Sequence, residues 1–170
     1  MTLIQGFPPI ADQRAERLVL GSMPSRASLA AAEYYAHPRN AFWRIIAAVL
    51  DLPEGLDYGA RCDALKAHRI ALWDALGACA RSTSLDSDIV EDSIVTNDFA
   101  GFLSAHPGVR EIGCNGLKSL QVFERRVRPS LPPAHASIPA VRLPSTSPAN
   151  ASIGFETKLD RWRAFLAPPA

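Results

Sequence analysis

An α/β fold built on a parallel sheet follows from two features of the chain. Four short apolar runs, rich in Val, Ile and Leu, recur along it: "RLVLGS" from Arg17, "RIALWDAL" from Arg69, "REIGCN" from Arg110 and "AVRLP" from Ala140. Between them lie segments whose apolar residues repeat at helical spacing, and strands alternating with such helices predict a parallel sheet covered on both faces. The 170 residues, 48% of them apolar, suffice for one compact domain, expected over residues 1–170.

The first run ends in Gly21, Ser22, Met23 and Pro24, a strand running into a loop. A short Ala-rich helix follows in "SLAAAEYY", with Ser28 as its expected N-cap. After "AHPRN" comes a second helix, with Phe42, Ile45, Ile46 and Val49 on one face and Asn40 at the cap. "TNDFAGFLSAH" reads as a helix capped by Thr96 or Asn97, "GLKSLQVFERRV" as the helix after the third strand, and "GFETKLDRWRAFL" as a closing helix. "RPSLPPAHASIP" is a surface connection, and no internal repeat is present.

Composition narrows the function. Eighteen Lys and Arg against seventeen Asp and Glu give a formal charge of +1, so any contact with nucleic acid must come from local basic patches. Cys62, Cys79 and Cys114 lie far apart with no Cys-x-x-Cys pair, which argues against a disulfide framework, a structural zinc or an iron-sulfur cluster. No metal or other cofactor is expected. No segment approaches the ~18 apolar residues of a membrane span, and the expectation is a cytoplasmic, monomeric protein without membrane contact.

In such a fold the loops at the carboxyl ends of the strands form the site. These are "GSMPSRAS" with "YYAHPRN", then "NG", then "LPSTSPAN". Taken in order and spacing, "LGSMPS", "YYAHPRNAFW", "ALWDAL", "CNG" and "LPSTSPANA" resemble the uracil-DNA glycosylase superfamily, and within it the hypoxanthine (deoxyinosine) DNA glycosylase family. The resemblance runs from Arg17 to the final helix. It implies a three-layer αβα domain with a four-stranded, essentially parallel sheet, and hydrolysis of the N-glycosidic bond without a metal. In one place the chain departs from the pattern, with Ser25 where the family usually has glycine; because glycine reaches backbone angles that serine resists, an altered loop shape is expected. Superfamily members with an Asp in the first motif use it to activate water, and Met23 and its neighbours offer no such base.

The resemblance maps the catalytic asparagine onto Asn40, whose neutral amide can orient a water but not deprotonate it. Capping the helix is an equally good use of the same side chain. Asn115 is either a turn residue of "NG" or the reader of the base. A fixed amide complements the carbonyl and ring N–H shared by hypoxanthine and uracil, and mismatches adenine. Tyr34 or Tyr35 would stack on the extruded base. Ser22 and Met23 join this base-binding group, with His37 as a donor to the departing base or a phosphate contact. Phe42 and Trp43 read as core, and Asp74 as a helix cap or a group near the substrate.

Ser145, Thr146, Ser147 and Pro148 either cap the last helix or form the loop that presses the DNA backbone, with Asn150 bracing it and Arg39 beside it. Arg125, Arg126, Arg128 and Arg142 make only a thin basic patch, and most of them read as a solvated face. The resulting expectation is an enzyme that flips a deaminated base, hypoxanthine first, out of DNA and hydrolyses its bond to the sugar. Uracil, or both bases, is the nearest alternative. A non-catalytic binder of damaged or single-stranded DNA is an alternative of another class. A serine hydrolase is weaker still, because no Gly-x-Ser-x-Gly elbow is present.

Overall fold

The computed structural model describes residues 2–167. In chain order the elements are β1 (Ile4–Gln5), β2 (Arg17–Gly21), α1 (Arg26–Ala31), α2 (Phe42–Leu50), α3 (Tyr58–Ala67), β3 (Ile70–Asp74), β4 (Leu76–Cys79), β5 (Val95–Thr96), α4 (Phe99–Ala105), β6 (Glu111–Asn115), α5 (Leu117–Val122), α6 (Pro133–Ala136), β7 (Ala140–Leu143) and α7 (Phe155–Leu166).

Every residue of β2 and β3 is buried, as unbroken apolar runs require when both faces of a sheet are covered. The four predicted strands pair in the order β3-β2-β6-β7, all parallel. Their register aligns Gly21 with Asp74, Leu20 with Cys114, and Asn115 with Leu143, so the carboxyl ends form one edge. Successive strand residues point to opposite faces. Val19, Ile70 and Leu72 pack with Phe42, Ile46, Leu65 and Trp162 of α2, α3 and α7. Leu18, Leu20 and Ile112 pack on the other side with Phe99, Phe102 and Phe123. Three layers result, with fully buried Trp162, Phe42, Phe99 and Phe123 each contributing ~1.5–3 kcal/mol of burial.

Several local expectations change. Ser28 is not the cap of α1: Ser25 is, its Oγ accepting from the Ser28 N–H, while buried Ser28 accepts from the Ala36 N–H. At α4 the cap is Asp98, whose carboxylate accepts from the Gly101 N–H, and not Thr96 or Asn97. "RIALWDAL" is not one strand. It breaks at Ala75, whose N–H donates to the Gly21 carbonyl, and continues as β4 in a separate antiparallel sheet ordered β1-β4-β5. That sheet and α3 carry little periodic signal, since β1 and β5 are two residues each and α3 buries only Cys62 and Leu65. The proline-rich connection holds the single turn α6. No helix of the described residues is long and apolar enough to cross a membrane.

Candidate active site

The loops at the carboxyl edge enclose a cavity of about 1080 Å³. All three predicted loops line it, joined by a fourth, Ser84–Ser87, that follows β4.

Asn115 closes β6 and is 8% exposed. Its Nδ2 donates to the Tyr35 hydroxyl at 3.1 Å and to Thr146 Oγ1 at 2.9 Å, and its Oδ1 accepts from the Thr146 N–H at 2.9 Å. The Thr146 carbonyl in turn accepts from the Ala41 N–H at 3.0 Å. One asparagine and one threonine thus tie three loops together. Thr146, expected on the DNA-facing surface, is 1% exposed with its polar atoms spent on this latch. The donor half of the two-point base reading expected of Asn115 is likewise spent inside the protein, leaving one lone pair on Oδ1. Gly116 follows with φ +93°, and a Cβ there would sit 3.1 Å from that of Ser145, so the tight turn after β6 needs glycine.

In "YYAHPRN" the two tyrosines separate. Tyr34 is core, 4% exposed, its hydroxyl donating to the Pro8 carbonyl and its carbonyl accepting from the Trp43 indole. Tyr35, in the left-handed region at φ 55°, stacks on Phe42 at 4.1 Å and brings its hydroxyl to Asn115. Burial pushes its phenol well above the usual range, so it stays neutral. Phe42 is therefore both core and the platform under Tyr35. His37 Nδ1 accepts from the Arg39 N–H, which leaves Nε2 as the ring position open to a ligand.

Asn40 is half-buried and borders both the large cavity and a smaller one of about 400 Å³ behind its loop. Ala41 already has helical angles before α2, and the capping bond comes from one residue back, where Asn40 Oδ1 accepts from the Phe42 N–H at 2.9 Å. One Oδ1 lone pair remains, and Nδ2 has no partner among the described residues.

Ser22 lines the cavity and donates to Asp86 Oδ1 at 2.6 Å, while Met23 is 7% exposed and packs with Ala75, Leu76 and Val122. Ser25 has φ −68° and ψ 169°, ordinary extended backbone. Serine at this place therefore adds no backbone strain. Asp74 stands at the end of β3 and lines the cavity, 3% exposed. Its Oδ2 is buried without a hydrogen-bond partner, and a Cβ on Gly21 would lie 2.3 Å from its Oδ1 and 2.8 Å from the Tyr35 hydroxyl. Gly21 is thus the close-approach position that lets both groups in. Burial first, then the nearby Asp86 carboxylate, push the Asp74 carboxyl up to about 7 against the pull of Arg81.

Ser145, Ser147 and Pro148 border the cavity in a loop that ends well before α7, so they do not cap that helix. Asn150 braces this loop by donating to the Ser145 carbonyl at 3.1 Å. The four arginines form no joint patch at the site: Arg126 pairs with Glu91, Arg128 with Glu124 and two backbone carbonyls, and of the four only Arg142 reaches the cavity. Exposed Arg26, Arg39 and Arg161 border it as well. Arg161 and Asp86 were not legible as site residues, because each comes from an element whose placement over the sheet edge is tertiary, and Arg26 went unnamed although it lies in the first expected loop.

No family model matches the chain. A solution NMR structure from Methanosarcina acetivorans, provisionally named a uracil DNA glycosylase, superposes with a TM-score of 0.79 at 33% identity over 97% of each chain. A hypoxanthine DNA glycosylase of Methanosarcina barkeri is 38% identical over 117 residues, 68% of this chain and 72% of that protein. One of Methanosarcina acetivorans is 39% identical over 116 residues, with the same coverage. The fold is that of the uracil-DNA glycosylase superfamily. Within it, the chain belongs to the hypoxanthine DNA glycosylase family.

Proposed function

We propose that this protein removes hypoxanthine from DNA by hydrolysing the bond between base and deoxyribose, leaving an abasic site. The observation that carries the reading is the half-used amide of Asn40 at the cavity. Its Oδ1 is oriented by the Phe42 N–H and has a lone pair left to hold a water. The base enters the cavity after flipping, against the Tyr35 ring braced by Phe42. Asn115 Oδ1 accepts the ring N–H of the base, which adenine lacks. His37, Arg39 and the Ser145–Ser147–Pro148 loop take the flanking phosphates, with backbone N–H groups and hydroxyls fixing register. The protein acts as a single-domain, cytoplasmic monomer.

Uracil presents the same carbonyl and N–H and is the second reading. Labelled duplexes containing inosine, uracil, xanthine or a thymine mismatch, incubated with protein and cleaved by alkali, test the reading. The expected outcome is release of free hypoxanthine, unaffected by EDTA, since no metal-holding cluster of His, Cys, Asp and Glu occurs among the described residues. Tight binding of the inosine duplex without base release would instead make the protein a damaged-DNA binder.

A further inference from the structure

Asp74 sits in the cavity wall, buried, and has no part in the steps proposed for the other residues. A buried carboxyl normally pairs with a cation or with backbone donors. Asp74 does neither at Oδ2, and above Gly21 it lies beside the Tyr35 hydroxyl, the same hydroxyl that accepts from Asn115. Asn115, its donors spent, cannot supply the hydrogen that the carbonyl side of a lactam needs.

We propose that Asp74, in its carboxylic acid form, is the proton donor to the departing base. This rests on the glycosylase reading and deepens it. The C1′–N9 bond breaks with its electron pair going to the base, while the Asp74 proton moves to an acceptor on the base, its carbonyl oxygen or a ring nitrogen. Water held by Asn40 forms the new C1′–O bond, and the proton it sheds returns to the Asp74 carboxylate through solvent. One water is consumed and the acid is regenerated. Leaving as a neutral molecule lowers the barrier for a purine, which suits a site whose water-holding group is an amide and not a base.

The groups facing Asp74 set its protonation. Asp86, on the loop after β4, disfavours its ionisation, Arg81 favours it, and the Tyr35 phenol stays neutral beside it. Because these hold the carboxyl near 7, a useful fraction is protonated at neutral pH, and DNA phosphates at the mouth raise that fraction.

Single-turnover hypoxanthine release from an inosine duplex, measured from pH 5.5 to 9 with the full chain, tests this. Wild type is expected to hold a plateau at low pH and to lose about tenfold per unit above the Asp74 transition. Asp74→Asn keeps the shape but has no proton to give, so its rate should fall by roughly 10²-fold at pH 6 and its profile should lose that transition. Melting curves separate chemistry from folding. With the carboxyl raised from 3.8 to about 7, the folded state binds more protons between those values, so stability falls as pH rises through them. Asp74→Asn removes that penalty and should melt at or above wild type at pH 8. An Asp74→Asn variant with the wild-type rate and pH profile overturns the proposal alone, as does a wild-type rate that rises with pH through this range. A wild type that releases no base overturns the glycosylase reading together with it.

Discussion

Two asparagines border the same cavity and are held in opposite ways. Asn115, on the rigid edge of the parallel sheet, has both amide hydrogens and one lone pair committed to Tyr35 and Thr146. Asn40, at the start of α2, has one lone pair committed to the Phe42 N–H and the rest of its amide free among the described residues. Residue type is the same and both stand where a helix or turn wants an asparagine. The difference is what their neighbours leave unspent: an amide with both hydrogens committed holds the loops in place, and one with its hydrogens and a lone pair free can hold a water. On the proposed reading, what each asparagine can do to a ligand is set by its residual hydrogen bonding, not by residue identity.

The largest effect expected from this contrast is on rate. Asn40→Ala should slow single-turnover base release by roughly 10²-fold or more, since a misplaced reactant forfeits that much. Its loss of capping should cost only about 1 kcal/mol of stability. Asn115→Ala should reverse the weighting, because it leaves the buried Thr146 N–H without an acceptor. A loss of roughly 1–3 kcal/mol is expected, lowering Tm by several degrees at this chain length. Thr146→Val, which removes one bond of the same latch, should produce a smaller fall of the same kind. Urea melts at constant m-value measure both, and an Asn115→Ala variant as stable as wild type would break the comparison.

The sequence carried the four parallel strands because each is a continuous apolar run, and it carried the site loops because such sheets place them at one edge. It did not carry the small sheet of β1, β4 and β5, whose strands are too short to have a period. Asn40, Asn115 and Tyr35 were legible as site candidates, but the division of labour among them was not. Tyr34 and Tyr35 are adjacent and identical in type, and only packing sends one hydroxyl to Pro8 and the other to Asn115. Asp74 was visible only as a helix cap or a group near the substrate, with nothing to choose between them. What singles it out is a missing partner at Oδ2, which no sequence states.

The smallest effect should come from Ser25. Its extended backbone and its capping bond to Ser28 make it a replaceable cap, so Ser25→Gly should cost a few tenths of a kcal/mol. The ranking of inosine over uracil duplexes should stay as in wild type. A reversed ranking in the cleavage assay would tie specificity to this loop after all.

The most direct test of the account compares hypoxanthine release by wild type and Asn40→Asp under single-turnover conditions, with melting curves recorded alongside. Asp caps a helix about as well as Asn, so the variant should melt like wild type. Its carboxylate holds and polarises water differently from an amide, and the account predicts a changed rate constant at unchanged stability. Free hypoxanthine released at the same rate by both proteins would contradict it, and would reduce Asn40 to the cap of α2.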